Sequence, residues 1–152
     1  MPRAALEGLK DPQVVHHFAL EIQGLEEATF REASGFESSH DVIEHREVDR
    51  TGKQKIVKQA GNLKWADIVL KKGLTDSLDL FRWRQLVIDG KMDEARKSGS
   101  IVLYNSANEA VARFDFVRAW PSKWKGPDVN TTNNAVAIEE LTLTHEGLKR
   151  TQ

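Results

Sequence analysis

Five histidines and no cysteine fix which side chains of this chain could do chemistry. His40 and His45, in the run HDVIEH, stand close to the H-x-x-E-H zinc signature, in which two imidazoles four apart on a helix face converge on one metal. Here they are five apart in a segment that reads as a strand, where they point to opposite faces. A metal-dependent hydrolase on His40, Glu44 and His45 would need a geometry that this spacing does not supply. His16 and His17 are adjacent and are expected to diverge for the same reason. Ser34 before Gly35 lacks the G-x-S-x-G nucleophile pattern, and His145 has no evident partner for acyl transfer. Glu139 and Glu140 could be offered as an acid/base pair, but strand neighbours project oppositely unless a bulge intervenes. The glycines of KSGS and KGP form no phosphate-cradling loop. Without cysteine there is no disulfide, thiolate nucleophile or common structural zinc site. No catalytic, cofactor-binding or metal-ligating residue is assigned from these patterns.

What remains is aromatic and basic surface. Trp120 and Trp124 stand four apart in FVRAWPSKWKGPDVNTTNN, beside turn-forming and amide residues. Between Asp49 and Asn62, Arg50, Lys53, Lys55 and Lys58 face Asp49 alone, a local excess of three positive charges. Stacking rings and a basic loop are what a monomeric single-stranded nucleic-acid-binding β-barrel would use, and this is the alternative reading. Against it stands a formal net charge of −1, which carries no electrostatic footprint for phosphate.

These residues need a scaffold, and the pattern is mostly β. At 152 residues the chain is expected to be one domain, residues 1–152. Residues 1–12 read as a flexible or partner-ordered arm ending in Asp-Pro. In VVHHFALEIQG the even positions from Val14 to Ile22 form one largely apolar face, a half-buried strand. ATFREASGF and HDVIEHREV read as further extended segments, and residues 49–62 as a long basic loop. LKWADIVLKKG resumes as a strand with a parity change between Trp65 and Ile68 that a bulge would explain. TDSLDLFRWRQLVIDG is helical: Leu80, Trp83 and Val87 share a stripe, Thr75, Asp76 or Ser77 are N-cap candidates, and Gly90 is the stop. GSIVLYN and AVARFDFVRAW form a hairpin through SANE. AVAIEELTLTHEG is the last long strand, with an expected register shift between Ile138 and Leu141. The sum is a mainly β fold, a β-barrel or two-sheet sandwich with one flanking α-helix. The N-terminus lacks an apolar signal core, and no stretch approaches the roughly 18 apolar residues of a membrane span. The expectation is a soluble protein assembled in the cytoplasm, without stable membrane insertion.

Five ordered blocks carry more than generic pattern: Leu70 to Thr75, Trp83 to Gly90, Gly99 to Leu103, Ala119 to Asp128, and Val136 to Leu148. Together, as LKKGLT, WRQLVIDG, GSIVL, AWPSKWKGPD and VAIEELTLTHEGL, they resemble the tail-tube protein family of contractile phages, shared with phage-derived contractile injection systems. DPQVVHHFALEIQGL, ASGFES and DVIEHRE match it more loosely, and His45 stands where a tyrosine is common.

The resemblance implies a barrel similar to the type VI secretion tube protein, assembling as a homo-hexamer whose rings stack into a hollow tube inside a contractile sheath. It implies as partners the sheath, the baseplate, tube-initiator and tube-terminator proteins, and a cargo of protein effector or DNA in the lumen. It also implies residence in a phage tail or in a released or cell-anchored injection particle, and neither catalysis nor a cofactor. For contacts between subunits or rings we expect Arg46, Glu47, Asp49, Arg50, Lys53, Lys55 and Lys58 of the basic loop. Trp120, Lys123, Trp124 and Asp128 are expected in the same interface, with the tryptophans as packing anchors at the barrel end or subunit boundary that pin the loop from Pro121 to Asn134.

Overall fold

The computed structural model describes residues 11–23, 28–130 and 136–152. In chain order these form β1 (His17–Ile22), β2 (Ala28–Phe30), β3 (Glu32–Ser34), β4 (Ser38–Val48), β5 (Gln54–Trp65), β6 (Ile68–Gly73), α1 (Asp79–Ile88), α2 (Met92–Ala95), β7 (Lys97–Tyr104), β8 (Ala110–Lys125), β9 (Ile138–Thr144) and β10 (Gly147–Arg150). The expected mainly β architecture with a flanking helix is what forms. One antiparallel sheet runs β2-β1-β7-β8-β9-β6-β3, with β10 added on β8, and β4 with β5 makes a separate two-stranded sheet.

Two devices curl the long sheet around its core. The 16-residue β8 pairs with β7 through residues 110–119 and with β9 through residues 120–125. Between those halves Arg118 adopts a left-handed φ of 49°, its N–H donating to Ser98 Oγ at 3.2 Å and its Nε lying 2.7 Å from Glu146 Oε2. A left-handed residue in a strand turns the strand sharply, and these contacts offset its strain. At the other end, β2 and β3 are successive pieces of one stretch separated by Arg31, whose N–H donates to Lys71 O at 2.8 Å. The two ends of the sheet path are therefore neighbours along the chain.

Inside lie Leu20, Phe30, Ile68, Leu70, Ile101, Phe116, Leu141 and Leu143, all at most 2% exposed. Helix α1 closes this core by burying Leu80 and Trp83, and Trp83 Nε1 donates to Ala95 O at 2.6 Å, which satisfies the indole's polar atom. None of the three expected caps fills the N-cap position, which is Leu78 without a side-chain bond. Instead Thr75 Oγ1 accepts from Ser77 N and Ser77 Oγ from Asp79 N, two successive turns leading into the helix. Gly90 ends α1 as expected: its φ is +78°, its N–H reaches Val87 O, and Lys91 N reaches Leu86 O, the paired bonds of a Schellman motif.

Further expectations need correction. Residues 49–62 are not a loop: the chain turns within Asp49–Lys53 and is strand from Gln54 onward. The segment from Pro121 is likewise strand as far as Lys125, with Pro121 beside the register shift that separates it from Lys123. A bulge is one of the few sheet positions that accept a residue without an N–H. Trp65 and Ile68 do not share a bulged strand, because they belong to two different sheets joined by Ala66 and Asp67. Finally, β9 pairs with β6 without a shift from Ile138 to Leu143, and it is Glu139 itself that points inward with Leu141 and Leu143. Residues 131–135 of the expected loop, and residues 1–10 of the arm, lie outside the described residues.

Candidate assembly surface

The β4–β5 hairpin pairs 11 residues with 12, so at about 3.4 Å per residue it extends for about 35–40 Å. Nearly every residue along it is exposed. At its root Phe36 stacks on Phe114 at 4.7 Å, and Trp65 lies against His145 at 5.8 Å. The buried His145 donates from Nε2 to Ala66 O at 3.0 Å, a structural bond rather than part of a catalytic relay. Thr144 Oγ1 bonds to Asp67 Oδ1 at 3.2 Å.

Gly35 makes that root possible. Its φ is +93°, and a Cβ there would stand 1.9 Å from Asp67 O, the backbone of the link between β5 and β6. We expect Gly35→Ala to destabilise the fold by about 3 kcal/mol or more, combining left-handed strain with displaced backbone. A urea midpoint within error of the wild type would show that the root does not need this close approach.

At the tip, Asp49 Oδ1 accepts from Thr51 Oγ1 at 2.6 Å and from the N–H groups of Thr51 and Lys53 at 2.9 Å, with Gly52 at φ +80°. The Thr51 hydroxyl foremost, then the Lys53 N–H, holds the Asp49 carboxyl below its ordinary range. Cross-strand register sets Val42, Glu44, Arg46 and Val48 against Ala60, Lys58, Ile56 and Gln54 on one face. On that face Val42, Ile56 and Val48 are 63%, 60% and 66% exposed. The opposite face carries Ile43, His45, Glu47, Lys55, Val57 and Gln59. Along the hairpin Asp41–Lys64 pair at 2.9 Å and Glu44–Lys58 at 3.8 Å, and His45 Nε2 lies 3.2 Å from Glu47 Oε1; exposed contacts of this kind stabilise little.

Arg46, Glu47, Asp49, Arg50, Lys53, Lys55 and Lys58 are thus brought together on the outer half of one projecting ribbon. Trp120, Lys123, Trp124 and Asp128 sit elsewhere, on β8 and just beyond it. Lys123 and Asp128 are exposed, with Asp128 3.7 Å from Lys125. Trp124 is not an open stacking platform. Its Nε1 donates to Glu139 Oε2 at 3.1 Å, and its ring meets Phe81 of α1 edge-on at 5.0 Å. Trp120 is half-buried against the core.

Sequence reading missed the partner of that indole. Glu139 Oε1 lies 3.2 Å from Lys72 Nζ, both side chains are almost completely buried, and Lys72 also reaches Thr75 Oγ1 at 3.5 Å. One carboxylate therefore joins β6, β9 and β8 below the start of α1. The signal was present: Lys72 ends the alternation Ile68, Leu70, Lys72, and Glu139 begins Glu139, Leu141, Leu143. Opposite charges complete the inner faces of two strands that are direct neighbours.

The fold that carries these residues is a curled antiparallel sheet closed by α1, with a long two-stranded hairpin outside it. The chain belongs to the T4-like virus tail tube protein gp19 family, whose model matches residues 14–149. It is a tail tube protein, which places it among structural tube subunits rather than single-strand-binding barrels. Among solved structures it is similar to a chain of the sheath/tube terminator of an extracellular contractile injection system, PVC, in its extended state, at 25% identity and TM-score 0.74, covering 95% of this chain and 100% of that one. It is also similar to the tube-terminating cap of the anti-feeding prophage, at 23% identity and TM-score 0.74, over 100% and 99% of the two chains. Hcp1 from Flavobacterium johnsoniae shares the fold at 18% identity and TM-score 0.56, over 90% and 95%. Comparison with curated proteins gives no match. Among the described residues no helix is long and apolar enough to cross a membrane.

Proposed function

We propose that this tail tube protein is the inner-tube subunit of a contractile injection particle or contractile phage tail. Copies close into hexameric rings, and the rings stack into a hollow conduit through which protein effector or DNA passes when a surrounding sheath shortens. The subunit works by assembling and performs no catalysis. One observation carries this reading: a hairpin some ten residue pairs long projects from the barrel with Val42, Val48 and Ile56 exposed and no third strand beside it among the described residues. An isolated two-stranded ribbon is at best marginally stable in water, and long unpaired edges invite pairing with another chain. Identical neighbours remove both problems at once, and a head-to-tail contact whose rotation closes yields a ring. Sheath, terminator and baseplate proteins are the proposed partners, supported by similar chains in a sheath-tube complex, a terminator complex and a baseplate.

The contacts between subunits or rings are assigned to the outer hairpin, Arg46 through Lys58, with Lys123 and Asp128 at the barrel end and Trp120 and Trp124 bracing that end from within. Residues 1–12 are proposed to order on stacking. Reversing Lys53, Lys55 and Lys58 to Glu tests the assignment. All three are exposed, so circular dichroism and the melting temperature should stay close to wild type. Tube formation, followed by pelleting and electron microscopy, should be strongly reduced because interfacial charge fixes partner and register. Normal tubes from this variant would reject the assignment.

A further inference from the structure

Two of the five histidines do not behave as strand neighbours should. Successive strand side chains point to opposite faces, yet His16 and His17 bring their Nδ1 atoms to 3.1 Å. The reason is local. β1 begins only at His17, whose ring is stacked on Tyr104 at 5.0 Å and 12°, while His16 N–H is tied to Tyr104 O at 2.8 Å. With one ring pinned flat on Tyr104, the other meets it edge-on at 5.3 Å and 89°.

We propose that His16 and His17 form a two-imidazole chelate for a divalent first-row transition ion, with Cu²⁺ bound in preference to Zn²⁺ or Ni²⁺. Imidazole nitrogens bind such ions at about 2.0–2.1 Å, so at right or tetrahedral angles two of them stand roughly 2.9–3.3 Å apart. The observed 3.1 Å falls within that bite. In the absence of metal the same distance is a hydrogen bond, with one Nδ1 carrying the proton. Loading requires both neutral rings to hold their protons on Nε2, which frees both Nδ1 lone pairs without any net proton change. The preference for copper follows the usual stability order of nitrogen sites. Among the described residues no group of three or more His, Cys, Asp or Glu is placed to hold a metal, so water completes the coordination and the ion exchanges readily. His40 and His45 offer no second pair, facing Leu63 and Val57 across the hairpin.

Titration of the purified chain with Cu²⁺, followed by calorimetry and by the nitrogen hyperfine pattern in electron paramagnetic resonance, tests the site. The wild type should bind with two equivalent imidazole nitrogens. His16→Ala, at an exposed position, and His17→Phe, which keeps a ring on Tyr104 while removing the nitrogens, should each weaken binding about tenfold or more, because the second ligand acts at high effective concentration. A His40→Ala/His45→Ala double variant should bind as the wild type does. Unchanged affinity in His16→Ala or His17→Phe, a single-nitrogen spectrum, or no binding by the wild type would overturn the proposal.

Discussion

Glu139→Ala should destabilise the barrel by about 3–5 kcal/mol, a large part of the roughly 5–15 kcal/mol that holds a domain folded. The carboxylate is 4% exposed and has two partners, Lys72 Nζ at 3.2 Å and Trp124 Nε1 at 3.1 Å. Removing it leaves the buried Lys72 ammonium with Thr75 Oγ1 at 3.5 Å in place of a counter-charge. Desolvating an ion without a counter-charge outweighs any relief from losing the pair. Lys72→Met should be similarly damaging, because it strands the carboxylate instead. The double variant Lys72→Met/Glu139→Leu removes both charges at comparable volume and should recover most of the loss. Trp124→Phe removes the indole bond while keeping an aromatic ring beside Phe81, and should cost about 1–2 kcal/mol. Urea unfolding of the four proteins measures all of these. A Glu139→Ala variant within about 1 kcal/mol of wild type would mean that water reaches the site and that the network does not organise the sheet.

The second large effect concerns assembly. Replacing residues 40–63 by Asn-Gly joins the register pair Ser39 and Lys64 through a two-residue hairpin turn and deletes the projecting ribbon. The anchoring contacts of Phe36 with Phe114 and Trp65 with His145 remain, so the barrel should fold and melt near the wild-type temperature. Val42, Val48, Ile56 and Leu63, each about half exposed or more, go with the ribbon. If each is worth roughly 1 kcal/mol when a neighbour covers it, association weakens by several kcal/mol, or on the order of a hundredfold or more. Sedimentation velocity should then find monomers at concentrations where the full chain assembles. Tubes of normal length from the shortened chain would remove the hairpin from the account.

Those two sites also show where sequence reading stopped. Strand β1, the β7–β8 hairpin and α1 were legible because each has one wet and one dry face, and because Gly90 ends the helix with a left-handed residue. The ribbon has no dry face in a single copy. KQKIVKQAGN therefore lacks the in/out alternation that marks a strand, and its charges and glycine resemble a loop. Glu139 misled in the opposite way: an acid on an inner face looked like a register shift, when it was half of a buried pair whose other half lay on β6. Pro121 hid the continuation of β8 because proline rarely enters a strand except at a bulge or edge. The basic character of the ribbon tip was readable from composition alone. Which surface it meets was not, because a chain's own pattern does not show the surface that complements it.

Negative-stain electron microscopy of the purified 152-residue chain across a concentration series decides whether copies assemble as proposed. Six-fold rings of uniform diameter that stack into hollow rods as concentration rises are the expected result. A protein that stays monomeric at every concentration, with neither rings nor rods on the grid, would contradict it.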